Sequence, residues 1–175
     1  TIGLGTTTAM IAQRADVAVG TFYFYFPDKE TLFIHLYEET GQFLLQTIQQ
    51  GIQTRSTLPQ QISAGLQAYV NIAVYEPAVV QLLLVGGVGS VPSLAVKRAE
   101  FRESLVKSWQ RPLDKALDNA LIIPQNTRRT AEALTGAFDE VVLNLLSSPD
   151  PETEASAALQ DLIEFALRAV VYTGR

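Results

Sequence analysis

Apolar residues recur along most of the chain at spacings of three and four positions, which is the period of an amphipathic α-helix. No stretch shows the sustained alternation of apolar and polar residues that is typical of a half-buried strand. The pattern therefore predicts an all-α fold in which turn-forming residues separate eight helical segments. These segments are Thr8–Ala15, Val19–Phe26, Asp28–Gly51, Gln60–Glu76, Ala78–Val85, Ser93–Leu121, Thr127–Leu146 and Thr153–Tyr172.

Side chains near the ends of these segments indicate where helices start and stop. Asp28 can cap the third segment, and Asn126 or Thr127 can cap the seventh. Pro112 lies inside the long sixth segment, where its ring and its missing N–H oppose a regular helix. We therefore expect this helix to be kinked or broken into two pieces at Pro112.

The last two segments carry more apolar surface than one neighbouring helix can cover. In the final segment, Phe165, Leu167 and Val171 fall outside the main apolar stripe, and such an excess marks a surface that meets a partner. We expect a homodimer held by these two helices; the alternative is that both only close the core of the monomer. The residues predicted at the dimer interface are Phe138, Val142, Leu145, Leu159, Leu162, Ala166 and Val170.

Composition narrows the class of protein. The chain has 175 residues, of which 47% are hydrophobic, so it can form a sizeable core. It contains no cysteine, which excludes disulfides, thiolate zinc sites and cysteine nucleophiles. Its formal net charge of -5 argues against a protein that coats nucleic acid, so any DNA-binding role must rest on a local patch.

The sequence shows no pattern of an export signal or of a membrane span. Thr1–Thr8 lacks a basic start followed by a long apolar run. Pro77–Val96 is low in charge but is interrupted by glycine, serine and proline, whereas a spanning helix needs about 20 mainly apolar residues. We expect a protein that lies in the cytoplasm and does not contact a membrane.

Catalytic and cofactor motifs are missing from the sequence. The glycine-rich stretch 86–90 is not followed by Gly-Lys-Ser/Thr and not preceded by a strand, so it does not match a phosphate-binding loop. No Gly-x-Ser-x-Gly elbow occurs, and the single histidine, His35, lies between two apolar residues of an amphipathic helix. We expect no enzyme activity, no bound metal and no cofactor.

Residues 11–26 place two short helices around a tight turn, which is the arrangement of a helix-turn-helix. Phe22 and Phe26 are four positions apart and share the face that packs inward, so the residues between them point outward. There, the hydroxyl groups of Tyr23 and Tyr25 can donate to phosphate oxygens, and Phe24 can contact a thymine methyl group. The alternative is that these five aromatic residues belong to the core, but five in a row on one helix cannot all face inward.

The segment Gly5–Phe33 closely resembles the DNA-binding signature of TetR-family transcriptional regulators. The resemblance implies that Val19–Tyr25 is the recognition helix and that Lys29 contacts a phosphate. It rests on Thr7-Thr8, Ile11-Ala12, Ala15, Val17, Gly20-Thr21-Phe22-Tyr23-Phe24-Tyr25-Phe26, Lys29-Glu30 and Leu32 in one register. The DNA-binding residues predicted in this way are Thr8, Val19, Gly20, Thr21, Tyr23, Phe24, Tyr25 and Lys29.

The resemblance also implies how the rest of the chain is organised. Residues 1–41 would form the DNA-binding part, and residues 42–175 a ligand-binding and dimerisation domain whose last two helices make a four-helix dimer interface. The protein is then expected to bind double-stranded operator DNA as a homodimer, as a repressor that a small hydrophobic or aromatic inducer releases. The alternative is a helical small-molecule-binding or dimerisation module without DNA binding.

The segment departs from the family pattern in three respects. Asp16 stands in the turn, where the family usually has glycine. Residues 1–30 contain two cations, Arg14 and Lys29, against three carboxylates. The first helix and the basic arm of the family would lie before Thr1, so we expect the chain Thr1–Arg175 by itself to bind DNA poorly.

The ligand pocket is predicted only from polar and aromatic residues that lie among apolar ones, because apolar walls with a few polar groups are typical of ligand pockets. Each of these side chains could instead be a satisfied polar group or a packing aromatic of the core. The candidates are Tyr69, Asn71, Tyr75, Gln81, Phe101, Trp109 and Asn144.

Overall fold

The structure, a computed structural model, describes residues 8–86 and 92–173. In these two ranges it contains eight α-helices and one isolated bridge, between Ile122 and Tyr172, so the predicted all-α class is confirmed. Most of the glycine-rich stretch 86–90 lies outside the described residues. The helices are α1 (Thr8–Arg14), α2 (Val19–Tyr25), α3 (Lys29–Gln53), α4 (Leu58–Tyr75), α5 (Pro77–Leu84), α6 (Pro92–Asp118), α7 (Thr127–Leu146) and α8 (Pro151–Ala169).

Capping side chains explain where three of these helices begin. The carboxylate of Asp28 and the side-chain carbonyl of Asn126 each accept a hydrogen bond from the N–H three residues later, at 2.7 and 2.9 Å. Each bond satisfies an N–H group of the first turn that has no partner within the helix, as predicted. Asp150 does the same for the N–H of Thr153, so α8 begins at Pro151, two residues before its predicted start.

The sixth helix is not broken at Pro112. α6 runs as one helix through this residue, which is buried next to Leu113. A proline inside a helix costs about 3 kcal/mol or more. Here α6 packs on both α3 and α7, and the apolar contacts of a buried helix on two sides offset that cost.

Three helices end in a residue with a left-handed backbone. Asp16, Ala120 and Val171 have φ values of 55°, 54° and 47° after α1, α6 and α8. In each case the next N–H bonds to the carbonyl five residues earlier, as Val17 does to Ala12 at 3.0 Å, which is a Schellman motif. Glycine is usual at this position, and aspartate tolerates it better than most other residues. Asp16 therefore ends α1 in the way that glycine normally does.

α4 lies at the centre of the larger helical bundle, where it contacts α3, α5, α6, α7 and α8. Trp109 of α6 and Phe138 of α7 meet edge to face, with ring centroids 5.0 Å apart. Two glycines allow the close packing of this core. A Cβ atom on Gly51 would lie 2.8 Å from the carbonyl oxygen of Ala64, and one on Gly65 would lie 2.8 Å from the indole ring of Trp109.

The stripe on α7 and α8 that was predicted to form the dimer interface faces the core of the same chain. Six of its seven residues are at most 4% exposed, and Leu159 is partly buried against the same core. The stripe is buried because α7 packs on α6 and α8 packs on α4, and helical periodicity does not reveal these contacts. The six buried residues are Phe138, Val142, Leu145, Leu162, Ala166 and Val170.

Candidate nucleic-acid interface and ligand cavity

α1 and α2 pack against each other and form the predicted helix-turn-helix. Ala12 of α1 is fully buried. The ring of Phe26, just after α2, lies 5.7 Å from the ring of His35 in α3, so the end of α2 rests on α3. Nε2 of His35 is also 3.3 Å from a carboxylate oxygen of Glu39. The side chain of Phe22 lies outside the described residues.

The outward side of α2 is an exposed aromatic surface. Tyr23, Phe24 and Tyr25 are 48%, 81% and 68% exposed, and the rings of Phe24 and Tyr25 meet edge to face at 5.1 Å. Contiguous exposed apolar surface is uncommon on soluble proteins and marks a site of interaction. Val19, Gly20 and Thr21 of α2 are exposed as well.

Two further candidate residues stand at helix starts. Thr8 begins α1, and Lys29, which is partly buried, begins α3 between the carboxylates of Asp28 and Glu30. These three charged side chains together have a net charge of -1. Contacts of this surface with DNA would rest on hydroxyl, aromatic and backbone N–H groups more than on basic side chains.

A cavity of about 530 Å³ opens between α3, α5, α6 and α7. Cavities of this size are typical of small-molecule sites. Most of its wall is apolar, and three arginines and two glutamates complete it. The apolar and aromatic wall consists of Tyr37, Leu83, Leu84, Ala99, Phe101, Leu105 and Val106, and the charged residues are Arg98, Arg102, Glu103, Arg128 and Glu132.

One of the seven predicted pocket residues, Phe101, lines this cavity. Tyr69 and Trp109 are buried in the core instead. The other four are exposed to solvent and do not line this cavity. These four residues are Asn71, Tyr75, Gln81 and Asn144.

Sequence reasoning missed the arginines of the cavity and Tyr37. Arg98 and Arg102 are four positions apart on one helix, so the sequence does contain the signal that they share a face. Arg128 and Tyr37 come from α7 and α3, and only tertiary packing brings them to α6. Tyr37 is held in place by the hydrogen bond that its hydroxyl donates to the carbonyl of Leu83 at 3.1 Å.

Two of the three arginines are committed to partners in the protein. Arg98 donates to the backbone carbonyls of Leu84 and Gly86, at 3.0 and 2.7 Å, and so satisfies the carbonyl end of α5. Arg128 forms two parallel hydrogen bonds with Glu103, at 2.7 and 2.6 Å, and a third with Glu132. Hydrogen bonds from Arg128 and then from Lys107 lower the pKa of the Glu103 carboxyl from 4.5 to about 2.

Replacing Glu103 by glutamine is expected to reduce the acid sensitivity of the fold. Because its pKa is lower in the folded state, Glu103 stabilises that state above pH 4.5 and loses this effect as the pH falls to about 2. The urea midpoint of the unmodified protein should therefore fall through this range, and that of Glu103→Gln should fall less. The difference should be small because the pair is exposed to solvent. Parallel curves for the two proteins across this range would contradict the prediction.

Arg102 joins the cavity to a buried polar pair. It donates to Asp139 of α7, whose other carboxylate oxygen accepts a hydrogen bond from the hydroxyl of Tyr69 at 2.8 Å. Burial raises the pKa of the Asp139 carboxyl, while the hydrogen bond from Tyr69 and the charge of Arg102 lower it. Burial, reinforced by the carboxylate of Asp139, raises the pKa of Tyr69 well above its usual value. The three side chains connect α4, α6 and α7.

α3 links the helix-turn-helix to the cavity. Its carboxylate Glu38 pairs with Lys97 of α6 at 2.7 Å, and Ser93 at the start of α6 donates to Glu30 at the start of α3. Because α3 is continuous from Lys29 to Gln53, the domain boundary predicted after residue 41 falls inside this helix. A displacement of α6 at the cavity would act on the same helix that carries Lys29.

Across residues 8–86 and 92–173, no cluster of three or more histidine, cysteine or acidic side chains could hold a metal ion. None of the helices in those ranges combines the length and the hydrophobicity needed to span a bilayer.

The amino-terminal segment matches a known protein family. Residues 3–36 match the family described as bacterial regulatory proteins, tetR family, which covers α1, α2 and the first part of α3. A search of curated protein sequences gave no significant match.

Solved structures resemble the chain over most of its length. The fatty acid degradation regulator FadR from Bacillus halodurans has a TM-score of 0.78 and 20% identity, over 91% of this chain and 88% of that one. The transcriptional regulator FadR from Bacillus subtilis, solved in complex with stearoyl-CoA, has a TM-score of 0.76 and 20% identity, over 90% and 87%. A tetR-family regulatory protein from Rhodococcus RHA1 has a TM-score of 0.72 and 24% identity, over 94% and 86%.

These matches are transcriptional regulators rather than enzymes, in agreement with the missing catalytic motifs. Residues 3–36 thus match the TetR family, and over most of its length the chain has the fold of the TetR-family regulators among these solved structures.

Proposed function

We propose that this protein is a ligand-controlled transcriptional repressor that acts in the cytoplasm and binds operator DNA through α2. The observation that carries the proposal is the exposed face of Tyr23, Phe24 and Tyr25, which lies on the second helix of a helix-turn-helix within the TetR-family segment. In a helix-turn-helix the second helix enters the major groove, where hydroxyl groups reach phosphates and aromatic rings reach thymine methyl groups.

A homodimer would present two such helices to two half-sites. The surface available for this purpose is a groove of about 560 Å³ on the outer sides of α7 and α8, where Phe165 is 48% exposed. Its small alanines would allow a helix of a second copy to approach closely. The residues of this groove replace the stripe as the proposed interface, and the two sets share only Leu162, which is 4% exposed. The groove is lined by Ala137, Val141, Glu154, Ala157, Ala158, Asp161, Leu162 and Phe165.

The proposed inducer is an amphiphile with an apolar body and an acidic group. Its body suits the apolar wall of the cavity between α3, α5, α6 and α7, and its acidic group suits the arginines there. The similar FadR from Bacillus subtilis, solved with stearoyl-CoA, supports an acyl compound as the class to test. Occupation of the cavity would favour a position of α6 and α3 in which the two recognition helices no longer match half-sites roughly 34–36 Å apart.

Replacing Tyr25 by phenylalanine is expected to weaken operator binding while leaving the fold intact. The change removes one hydroxyl that donates to phosphate, which costs about 1 kcal/mol. Lys29→Ala should have an effect of similar size because it removes the only cation at the start of α3. Tyr75→Phe is the matched control, because Tyr75 is also 68% exposed but lies at the end of α4.

The experiment is an operator selection from random duplex DNA, followed by mobility shifts at a fixed salt concentration. Unchanged affinity for both the Tyr25 and the Lys29 variants would remove α2 and the start of α3 from the interface. Failure to enrich any sequence would favour the alternative function, a helical small-molecule-binding module that does not bind DNA.

A further inference from the structure

We infer that Arg102 is the residue that binds the acidic group of the ligand, and that it does so by exchanging its partner Asp139 for that group. The inference deepens the proposed function and rests on it, because it assigns a role within the same cavity. It singles out one of three arginines that line the wall.

The three arginines differ in how many of their guanidinium N–H groups already have partners in the protein. Arg98 uses both terminal nitrogens on backbone carbonyls, and its loss would expose the end of α5. Arg128 uses Nε and both terminal nitrogens on Glu103 and Glu132. Arg102 donates from one terminal nitrogen, Nη1, to Asp139, and a guanidinium carries five N–H donors in all. Its side chain is also 50% exposed, so of the three it has the most donors to offer a ligand.

The buried pair behind Arg102 orients it and competes for it. The Asp139 side chain is 9% exposed and holds the guanidinium from the α7 side, while Tyr69 of α4 fixes the carboxylate by its hydrogen bond. A ligand carboxylate that binds Arg102 takes over an interaction that Asp139 otherwise makes. The hydrogen bond from Tyr69 remains to stabilise the carboxylate that is left.

The arrangement predicts selection for charge as well as for shape. An apolar compound without an acidic group would pack on the apolar wall of the cavity, but it could not replace Asp139 as the partner of Arg102. The ligand class is therefore an amphiphile with a carboxylate or a phosphate at one end. An alcohol with the same carbon chain should bind more weakly.

The test compares dodecanoate with dodecanol as probes, by isothermal titration of the purified protein below the micellar concentration. Arg102→Gln should lower the affinity for dodecanoate by about tenfold or more, the value of a lost charge-assisted hydrogen bond, and should leave dodecanol unchanged. Arg111→Gln is the matched control, because it removes the same charge from an exposed position of α6 that is not part of the cavity wall.

Two variants of the buried pair should change the affinity for dodecanoate in opposite directions. Asp139→Asn removes the competing charge and should raise that affinity by about threefold or more. Tyr69→Phe removes a hydrogen bond to the Asp139 carboxylate, which then depends more on Arg102, so this variant should lower the affinity for dodecanoate. A purely structural role would change dodecanoate and dodecanol binding together, and circular dichroism would report any loss of helix.

The outcomes distinguish this inference from the function on which it rests. If dodecanoate and dodecanol bind equally well and Arg102→Gln does not matter, the inference is overturned while the ligand cavity stands. If the Asp139 and Tyr69 variants change the affinity for dodecanoate in the same direction, the proposed exchange of partners is overturned. If neither probe nor dodecanoyl-CoA binds, the proposed ligand class and the inference both fall.

Discussion

Replacing Phe165 by glutamate should give a folded monomer that binds operator DNA about 100-fold or more weakly than the unmodified protein. Phe165 is half exposed in the groove of α7 and α8, where a charge facing the same charge on a second copy would be repelled and desolvated. Because the change is on the outside of α8, the helical content should be kept. Sedimentation reports the oligomeric state, circular dichroism the fold and mobility shifts the affinity.

Phe43→Glu is the matched control for this prediction. Phe43 is 50% exposed on α3, away from the groove, so the same change of residue there should leave the dimer intact. A stable interface buries on the order of 1,200–2,000 Å² in total, which is enough to hold a dimer at micromolar concentration. If the unmodified protein sediments as a monomer at that concentration, the dimer and the binding to two half-sites are both contradicted.

Trp109→Ala should lower the free energy of unfolding by about 3–5 kcal/mol, the largest effect on stability expected of a single change in this chain. Trp109 is 2% exposed and packs edge to face on Phe138, and α4 has a glycine where it meets the indole ring. The alanine would leave a cavity between α4, α6 and α7, and rigid helices on all sides could fill it only in part.

Chemical denaturation followed by circular dichroism measures this change. The buried Nε1–H of Trp109 has no hydrogen-bond partner among the described residues. The substitution therefore leaves no acceptor without its donor, and the loss of stability comes from packing alone. Tyr75→Ala, at a 68% exposed position, should change stability by no more than about 0.5 kcal/mol. A loss of less than about 1 kcal/mol for Trp109→Ala would show that α6 does not pack on α4 as described.

Local chemistry was enough to predict the helices and the helix-turn-helix. A cap depends on one side chain and an N–H group three residues away, so Asp28, and Asn126 or Thr127, could be named from neighbouring residues alone, and the structure shows that Asn126 is the cap of α7. The outward direction of Tyr23, Phe24 and Tyr25 followed from helical geometry in the same way, since five adjacent aromatic residues cannot share one face. The positive φ of Asp16 is equally local, because a Schellman motif spans only six residues.

Tertiary packing decided which apolar faces of the helices are buried in the core and which are exposed to solvent. α8 has apolar residues on more than one side, and periodicity alone could not say that Leu162 faces α4 and α7 while Phe165 faces solvent. The continuity of α6 through Pro112 has the same origin, because neighbouring helices supply packing energy that the local sequence does not contain.

The cavity and its charges depend most on the tertiary structure. The chain by itself determined that α6 carries Arg98 and Arg102 on one face, through the i, i+4 spacing of a helix. Asp139 is 37 residues from Arg102, and Tyr69 is 70 residues from Asp139, so their meeting required α4, α6 and α7 to pack together. Burial then set the proton affinity of these groups, because desolvation depends on all the surrounding atoms and not on the residue's neighbours in sequence.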